Sequence, residues 1–397
     1  MSEPPEPASR EGFVTLIRWL GVFTPLAIVG GPSPADIACT LIATLFLAHT
    51  LWSRDFGWLR QDWLIVGLTL WAYFCLRSVI GEAGGNGLVL ALTFVRFLLF
   101  AAALQSLILT EDLWRRRLAM VAAMALGALA LDAIFQYVTR RDVLGHPAHD
   151  FRLTGFYNHP WVGAMLSWLF LPVALSLADQ RRYKLAAVFG ALCLTAILLS
   201  GDRMALLAAL LALAALGLLF KRARRIFLIA VPVVVLLAGV FLASNRIVYD
   251  RQVASTIETI HSFPQSHYAA IWKSTIKIWR DYPLFGTGRG GYRAVCSDPK
   301  YGPLFPIGPG ESRCATHTHN IYLEWLVESG LLGLALFLLM LAAIFRHFIR
   351  GLAGADWAYC GLFVTVIARL WPLASWTSFH QAWSAVPFWL VIGWGLS

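Results

Sequence analysis

Met204-Ala-Leu-Leu-Ala-Ala-Leu-Leu-Ala-Leu-Ala-Ala-Leu-Gly-Leu-Leu-Phe220, followed at once by Lys221-Arg222-Ala223-Arg224-Arg225, decides the fold class. The first part carries no charge and approaches the ~20 apolar residues that a helix needs to cross a bilayer. The second is a compact basic cluster, and short cytoplasmic loops are enriched in Lys and Arg. The same alternation recurs along the chain. About twelve spans are expected by that length criterion, near residues 13–29, 36–52, 63–80, 88–109, 118–138, 161–177, 185–200, 204–220, 226–243, 321–345, 357–373 and 382–394.

Composition agrees. The 397 residues are 58% hydrophobic and 14% charged, with 17 Trp and 25 Phe, whereas soluble domains run near ~45–50% apolar and ~25% charged. The net charge of +10 does not point to nucleic acid, because much of it lies in short clusters between apolar runs. Residues 1–11 have no basic n-region and show no small-residue cleavage site, so the first apolar run is expected to remain as a helix.

Arg54/Arg60, Arg115-Arg116-Arg117, Arg181-Arg182, Lys221-Arg222 and Arg346/Arg350 fall on one side, which the charge bias makes cytoplasmic. The nearly uncharged segments 30–35, 81–87 and 372–380 and the short Ser200–Arg203 junction fall on the other. Two long segments join them there, 139–160 and 244–318. Connections that long are usually functional. The predicted organisation is a membrane bundle of about nine spans over 1–243, a large, partly helical external loop over 244–318, and about three further spans over 319–397. Of six Cys, Cys296 and Cys314 share the long external segment. In an oxidising compartment they are predicted to form a disulfide.

The external groups that could carry chemistry form four clusters. The first is Arg152-Leu-Thr-Gly155-Phe-Tyr-Asn158-His-Pro160, and the second Ser200-Gly-Asp202-Arg203. The third, Asp281-Tyr-Pro283-Leu-Phe-Gly286-Thr-Gly288-Arg289, lacks the Gly-Lys-Ser/Thr ending of a phosphate loop. Its backbone N–H groups with Arg289 could still hold a pyrophosphate. The fourth is Thr316-His317-Thr318-His319-Asn320, running on to Glu328, Gly330 and Gly333. Two His without an acidic third ligand argue poorly for a metal. His319 suits a base, since a neutral imidazole titrates near ~6.5. Arg77, Arg96 and Arg369 lie within or near spans, where an unpaired charge costs at least ~2.5–3.5 kcal/mol. They should face the protein interior or water. Glu328 should pair with an arginine or orient a neighbour.

His319-Asn320, nine residues, Gly330, two residues and Gly333 resemble the signature of the bacterial O-antigen ligase and O-antigen polymerase superfamily. Arg152…Gly155…Asn158-x-Pro160, Ser200-x-x-Arg203, Trp272 with its helix, and Pro283-Leu-Phe-Gly286-x-Gly288 look like the same family. The resemblance implies a metal-independent, inverting glycosyltransferase of the GT-C type in the bacterial inner membrane, needing no cofactor. Its donor would be an undecaprenyl-pyrophosphate-linked glycan. Its acceptor would be a hydroxyl of the lipid A–core oligosaccharide, on the periplasmic face. His319 would be the general base and Arg203 the group that neutralises the leaving pyrophosphate. Arg152, Asn158, His267, Arg280, Arg289, Asn320 and Glu328 are the candidate substrate-binding residues.

The chain departs from the family at one place. A second arginine usually precedes the Trp matching Trp272 by about one turn, and here His267-Tyr268 stand there. Either His267 substitutes, or Arg280, Arg289 or Arg251 reaches the pyrophosphate from elsewhere. The polymerase of the same superfamily is the alternative activity. A twelve-span transporter fits less well, because no half-to-half similarity of the kind such folds carry is visible.

Overall fold

The computed structural model describes residues 7–148, 152–157, 159–221, 223–302 and 314–397. The protein is an all-α polytopic membrane protein, with no strand among the described residues. The chain begins α1 (Pro7–Val29), α2 (Pro32–Ser53), α3 (Asp62–Val79), α4 (Gly84–Thr93), α5 (Val95–Ala103), α6 (Asp112–Thr139) and α7 (Val162–Asp179). It continues α8 (Tyr183–Leu199), α9 (Arg203–Leu219), α10 (Arg224–Ser244), α11 (Arg246–Tyr249), α12 (Ser255–His261), α13 (His267–Asp281) and α14 (Gly291–Val295). The last helices are α15 (Ile321–Gly351), α16 (Trp357–Arg369) and α17 (Ala382–Leu396).

Each expected apolar stretch falls on a helix, with α4 and α5 sharing one. Among the described residues, seven stretches are long and apolar enough to cross a membrane, and α8, α9, α16 and α17 are apolar but shorter. α16 stops at Arg369 and not near residue 373, because Pro372 disfavours helical backbone in the residue before it. α15 runs on to Gly351, past the expected end near 345.

The buried faces of the membrane helices share one continuous apolar core. Arg77, Arg96 and Arg369 are each engaged by groups of the protein. Arg96 pairs with Asp36 at 2.7 Å. Arg77 donates from Nε and Nη2 to the Gly286 carbonyl at 2.9 and 2.6 Å. The guanidinium of Arg369 lies between the rings of Trp168 and Trp376, 4.3 Å from each centroid.

α15 is not one continuous helix. Gly330 stands at φ 67°, ψ −169°, a conformation essentially reserved for glycine. Breaking a helix there frees backbone carbonyls before the break and N–H groups after it. Away from water each such group costs several kcal/mol if left alone. The Pro283–Gly288 loop and Tyr73 of α3 supply partners on both sides of the break. Thr287 N and Gly288 N donate to the Val327 and Glu328 carbonyls at 2.9 and 2.8 Å. Leu331 N and Leu332 N donate to the Pro283 and Leu284 carbonyls at 3.0 and 3.2 Å. The Tyr73 hydroxyl donates to the Ser329 carbonyl at 2.7 Å. Backbone meets backbone here. A Cβ on Gly286 would stand 2.5 Å from the main chain of Glu328, Ser329 and Gly330.

A second, smaller core lies beside this junction. It gathers Ile271 and Ile278 of α13 with Tyr292, Cys296 and Tyr301, and reaches α15 through Val327. The Cys296–Cys314 disulfide closes it, with Cα atoms 5.4 Å apart.

Gly330→Ala should lower the thermal midpoint in detergent, because the left-handed backbone alone costs about 1–3 kcal/mol in a residue with a Cβ. Gly127→Ala, where an added Cβ meets nothing within 4 Å, should be neutral or slightly stabilising. Equal midpoints for the two variants would remove the junction from the fold's stability. Replacing Cys296 and Cys314 by Ser should cost ~3 kcal/mol by loop entropy, read in the same assay as the loss produced by reductant on the parent protein.

Candidate active site

His319 sits immediately before α15, and its placement follows from the capping residue next to it. The Asn320 side-chain carbonyl accepts from Tyr322 N and Leu323 N, both at 3.0 Å, which satisfies two of the orphan donors of a helix start. Its amide donates to the Pro372 carbonyl at 2.7 Å, and the Tyr322 hydroxyl to the Leu370 carbonyl at 2.6 Å. The start of α15 is thereby tied to the segment between α16 and α17. His319 itself has φ 54°, left-handed backbone that a branched, non-glycine residue adopts only when its surroundings impose it.

The ring of His319 is half-buried. His317 lies 4.1 Å away between centroids, Tyr268 meets it edge-on at 5.5 Å, and His267 stands at 6.5 Å. Burial pushes the imidazole down to about 3, and His317 and His267 add to the effect. His319 is therefore neutral throughout the physiological range. Among the described residues, no group of three or more His, Cys, Asp or Glu is arranged to hold a metal ion.

Tyr268 is also within electrostatic reach of an arginine, Arg251. Asp202 caps α9 by accepting from Met204 N and Ala205 N at 3.1 and 3.2 Å, which fixes Arg203 at the helix start. Arg203 Nη1 donates to the Ser255 carbonyl at 2.8 Å and to the Thr259 hydroxyl at 3.0 Å. Ser255 in turn donates to the carbonyl of Arg251 at 2.6 Å. Arg251 lies in a π-turn, Asp250–Ala254, between α11 and α12, a geometry common at functional sites. Gln252 anchors that turn by donating to the Leu198 carbonyl at 3.0 Å. Arg152 approaches from the segment before α7, 3.7 Å from Asp202.

Arg152 and Arg251 both feel the Asp202 carboxylate, and the charge of Arg203 acts on Arg251 as well. The arginine side chain of Arg251 is depressed by burial first, then by the charges of Arg152 and Arg203, while Tyr268 and Asp202 oppose the shift. The Nε atoms of Arg152 and Arg251 are buried and have no hydrogen-bond partner among the described residues. Clustered cations with unspent donors make an electropositive hole suited to an anion.

The other expected residues are distributed differently. Arg289 donates to both carboxylate oxygens of Glu328 at 3.2 and 3.0 Å, and Gly290 N donates to the same carboxylate at 2.9 Å. The pair bridges the Pro283–Gly288 loop and α15, so the guanidinium of Arg289 is engaged there, away from the arginine cluster. Arg280 is exposed at the end of α13 opposite His267, a separation of ~20 Å along a helix of that length. Asn320 has both ends of its amide committed, one to the helix cap and the other to the Pro372 carbonyl. Asn158 lies outside the described residues. Tyr268 was not singled out from sequence, and Arg251 was only one of several arginines that could have reached the site. Neither carries a local motif, and only the packing of α13 and the π-turn against α9 and α15 reveals them.

A cavity of about 880 Å³ opens on the His317 side. Its walls include the Asp36–Arg96 and Arg289–Glu328 pairs, Glu82, Asn86, Gln381, Trp161 and Trp383.

Residues 185–338 match the family model described as O-antigen ligase, a stretch that contains Arg203, Arg251, Tyr268, His319, Gly330 and Gly333. No curated protein matches the chain.

The Arg289–Glu328 pair is buried, with 12% and 4% of each side chain exposed, and removing one partner of such a pair costs roughly 3–5 kcal/mol. Glu328→Gln and Arg289→Met should each destabilise strongly in denaturant titration. The double substitution should cost less than the sum, and strict additivity would show that the two do not interact.

Proposed function

Taking as premise a chain of the O-antigen ligase superfamily, as residues 185–338 mark it, we propose that it is a GT-C-type, metal-independent glycosyltransferase of the bacterial inner membrane. It moves a glycan en bloc from undecaprenyl pyrophosphate to a hydroxyl of the lipid A–core oligosaccharide, with inversion, at a site facing the periplasm.

The observation that carries the reading is that one residue, Tyr268, meets both kinds of group. It lies edge-on to the neutral imidazole of His319 and within electrostatic reach of Arg251, whose charge is in turn felt with those of Arg152 and Arg203. His319 takes the proton from the acceptor hydroxyl as its oxygen attacks the anomeric carbon. The bond from that carbon to the pyrophosphate oxygen breaks on the opposite face. The negative charge released there is met by the arginines, in a site where partial burial strengthens their effect. An imidazole held down to about 3 is a weak base in the empty protein. A pyrophosphate seated beside it brings negative charge that raises its basicity toward the working range. The 880 Å³ cavity, with tryptophans and both acceptors and donors on its walls, is the room for the acceptor sugar.

The test is reconstitution in proteoliposomes with an undecaprenyl-pyrophosphate glycan and, as acceptor, either lipid A–core or a second carrier-linked glycan. Transfer to lipid A–core is expected; transfer only to the second carrier would assign the polymerase activity instead. His319→Ala should lower the rate by ~10²–10⁴, the usual worth of a general base, with insertion and thermal midpoint retained. Arg203→Ala should lose more activity than Arg203→Lys, which keeps the charge but not the bidentate fork. Transfer unchanged in EDTA is expected.

The pH dependence has a definite sign. With the His319 imidazole depressed below its ordinary 6.5 to about 3, the acid limb of kcat/KM, which reports the free enzyme, should fall below pH 5. A limb near 6.5 would show that the imidazole is not shielded. The same shift makes the unfolded chain bind a proton that the folded chain refuses, so this residue's contribution to stability declines as pH falls from 6.5 toward 3.

A further inference from the structure

The cavity of about 880 Å³ touches both halves of the proposed machinery. One wall holds His317, the neighbour of His319. Another holds Trp161, and the carbonyl of the residue before it, Pro160, accepts from Arg152 Nη2 at 3.3 Å. The first turn of α7 is also pressed against the turn that carries Arg203. A Cβ on Gly163 would stand 3.0 Å from the Cβ of Asp202. The Trp161 ring is partly exposed and meets the buried ring of Trp383 edge-on. Trp383 therefore braces it, while part of its surface stays open to the cavity.

The polar groups on the walls narrow the chemistry of the occupant. Asn86 and Gln381 are exposed residues of the lining, and the Gln381 side chain takes no part in capping α17. Such amides both donate and accept. Glu82 adds an exposed carboxylate, and its backbone is fixed by donating to the Thr287 carbonyl at 2.8 Å. The buried cations of the lining are engaged, Arg96 with Asp36 and Arg289 with Glu328. Arg293 is exposed, where water and salt screen its charge. Burial pushes the imidazoles of His317 and His380 down, so both stay neutral at pH 7. The face of an indole is electron-rich and attracts the C–H face of a pyranose ring, whose hydroxyls suit amides and a carboxylate. A phosphate or carboxylate on that ring would face Glu82, and like charges repel. Resting on the acceptor assignment above, we propose that Trp161, braced by Trp383, is the stacking platform for the acceptor's terminal sugar. Glu82, Asn86 and Gln381 take its hydroxyls, and the sugar selected is an uncharged pyranose.

The test uses the full-length protein in proteoliposomes with the undecaprenyl-pyrophosphate glycan as donor. Two acceptors are compared, lipid A–core ending in an unsubstituted hexose and the same molecule phosphorylated on that hexose. The unsubstituted acceptor is expected to show the lower KM, by about tenfold. Trp161→Ala should raise its KM about tenfold, with the donor KM little changed, and Trp161→Phe should recover most of the loss. A merely structural tryptophan would instead lower the thermal midpoint and kcat together. Glu82→Gln, at an exposed position, should narrow the gap between the two acceptors about threefold. An unchanged acceptor KM in folded Trp161→Ala, or equal use of both acceptors by the parent protein, would overturn the platform. Should Trp161→Ala fail to fold, a gap left unchanged by Glu82→Gln overturns it equally. Transfer only to a second carrier-linked glycan would overturn the ligase reading instead, and the same variants measured on that acceptor would still decide the platform.

Discussion

A helix that breaks at Gly330 away from water leaves carbonyls and N–H groups that have to be satisfied by protein, and the Pro283–Gly288 loop is the segment that satisfies them. Much of the arrangement around the site depends on that constraint. The loop can lie against α15 only because Gly286 and Gly330 bring no Cβ to the contact. Arg77 and Tyr73 of α3 reach the same junction, so the helix from the N-terminal bundle and the helix after the long loop are locked together. α13 ends just before this loop and packs on Val327 through the second core. Its other end therefore has a defined place, and that end carries His267 and Tyr268 to His319.

Two kinds of charge arrangement coexist in the protein, and the contrast is informative. Arg289 and Glu328 form a closed pair, with the carboxylate also receiving Gly290 N, so little of either group is left for a ligand. Arg152, Arg203 and Arg251 gather near Asp202, which pairs with Arg152, acts on Arg251 and is itself occupied in capping α9. Like charges held together cost free energy in the empty protein. An arriving anion would offset that cost, which is the electrostatic logic of the donor site proposed above. The depressed imidazole of His319 follows the same logic, since an incoming anion raises its basicity.

Much of this was legible in the sequence. The apolar stretches and the basic clusters between them define a polytopic helical protein, because the length needed to cross a bilayer and the charge bias of loops are local properties. His319, Arg203 and Arg152 were singled out because charged or titratable groups at helix mouths are costly without a purpose. The choice among further arginines was not legible. Arg280 and Arg289 stand in segments as polar as that of Arg251, yet one ends up at the far end of α13 and another against Glu328. Asn320 adjoins the proposed base but serves as a helix cap, and nothing in its sequence neighbourhood separates a capping role from a binding one. The break in α15 was equally hidden, since Gly330 and Gly333 are compatible with an unbroken apolar helix until the partner loop is in place.

What the sequence by itself determined is the set of helices, their alternation across the membrane and the short list of groups able to do chemistry. Those follow from hydropathy, charge and the costs of burying polar groups, all of which act within a segment. What only the tertiary structure decided is which of those groups meet. Tyr268 comes near both His319 and Arg251 because residues 267–281 are oriented by a backbone junction with α15 and residues 250–254 by contacts with the end of α8 and the start of α9. Such contacts join residues far apart in the chain, and their geometry is set by satisfying backbone hydrogen bonds at a glycine whose conformation no local pattern announces.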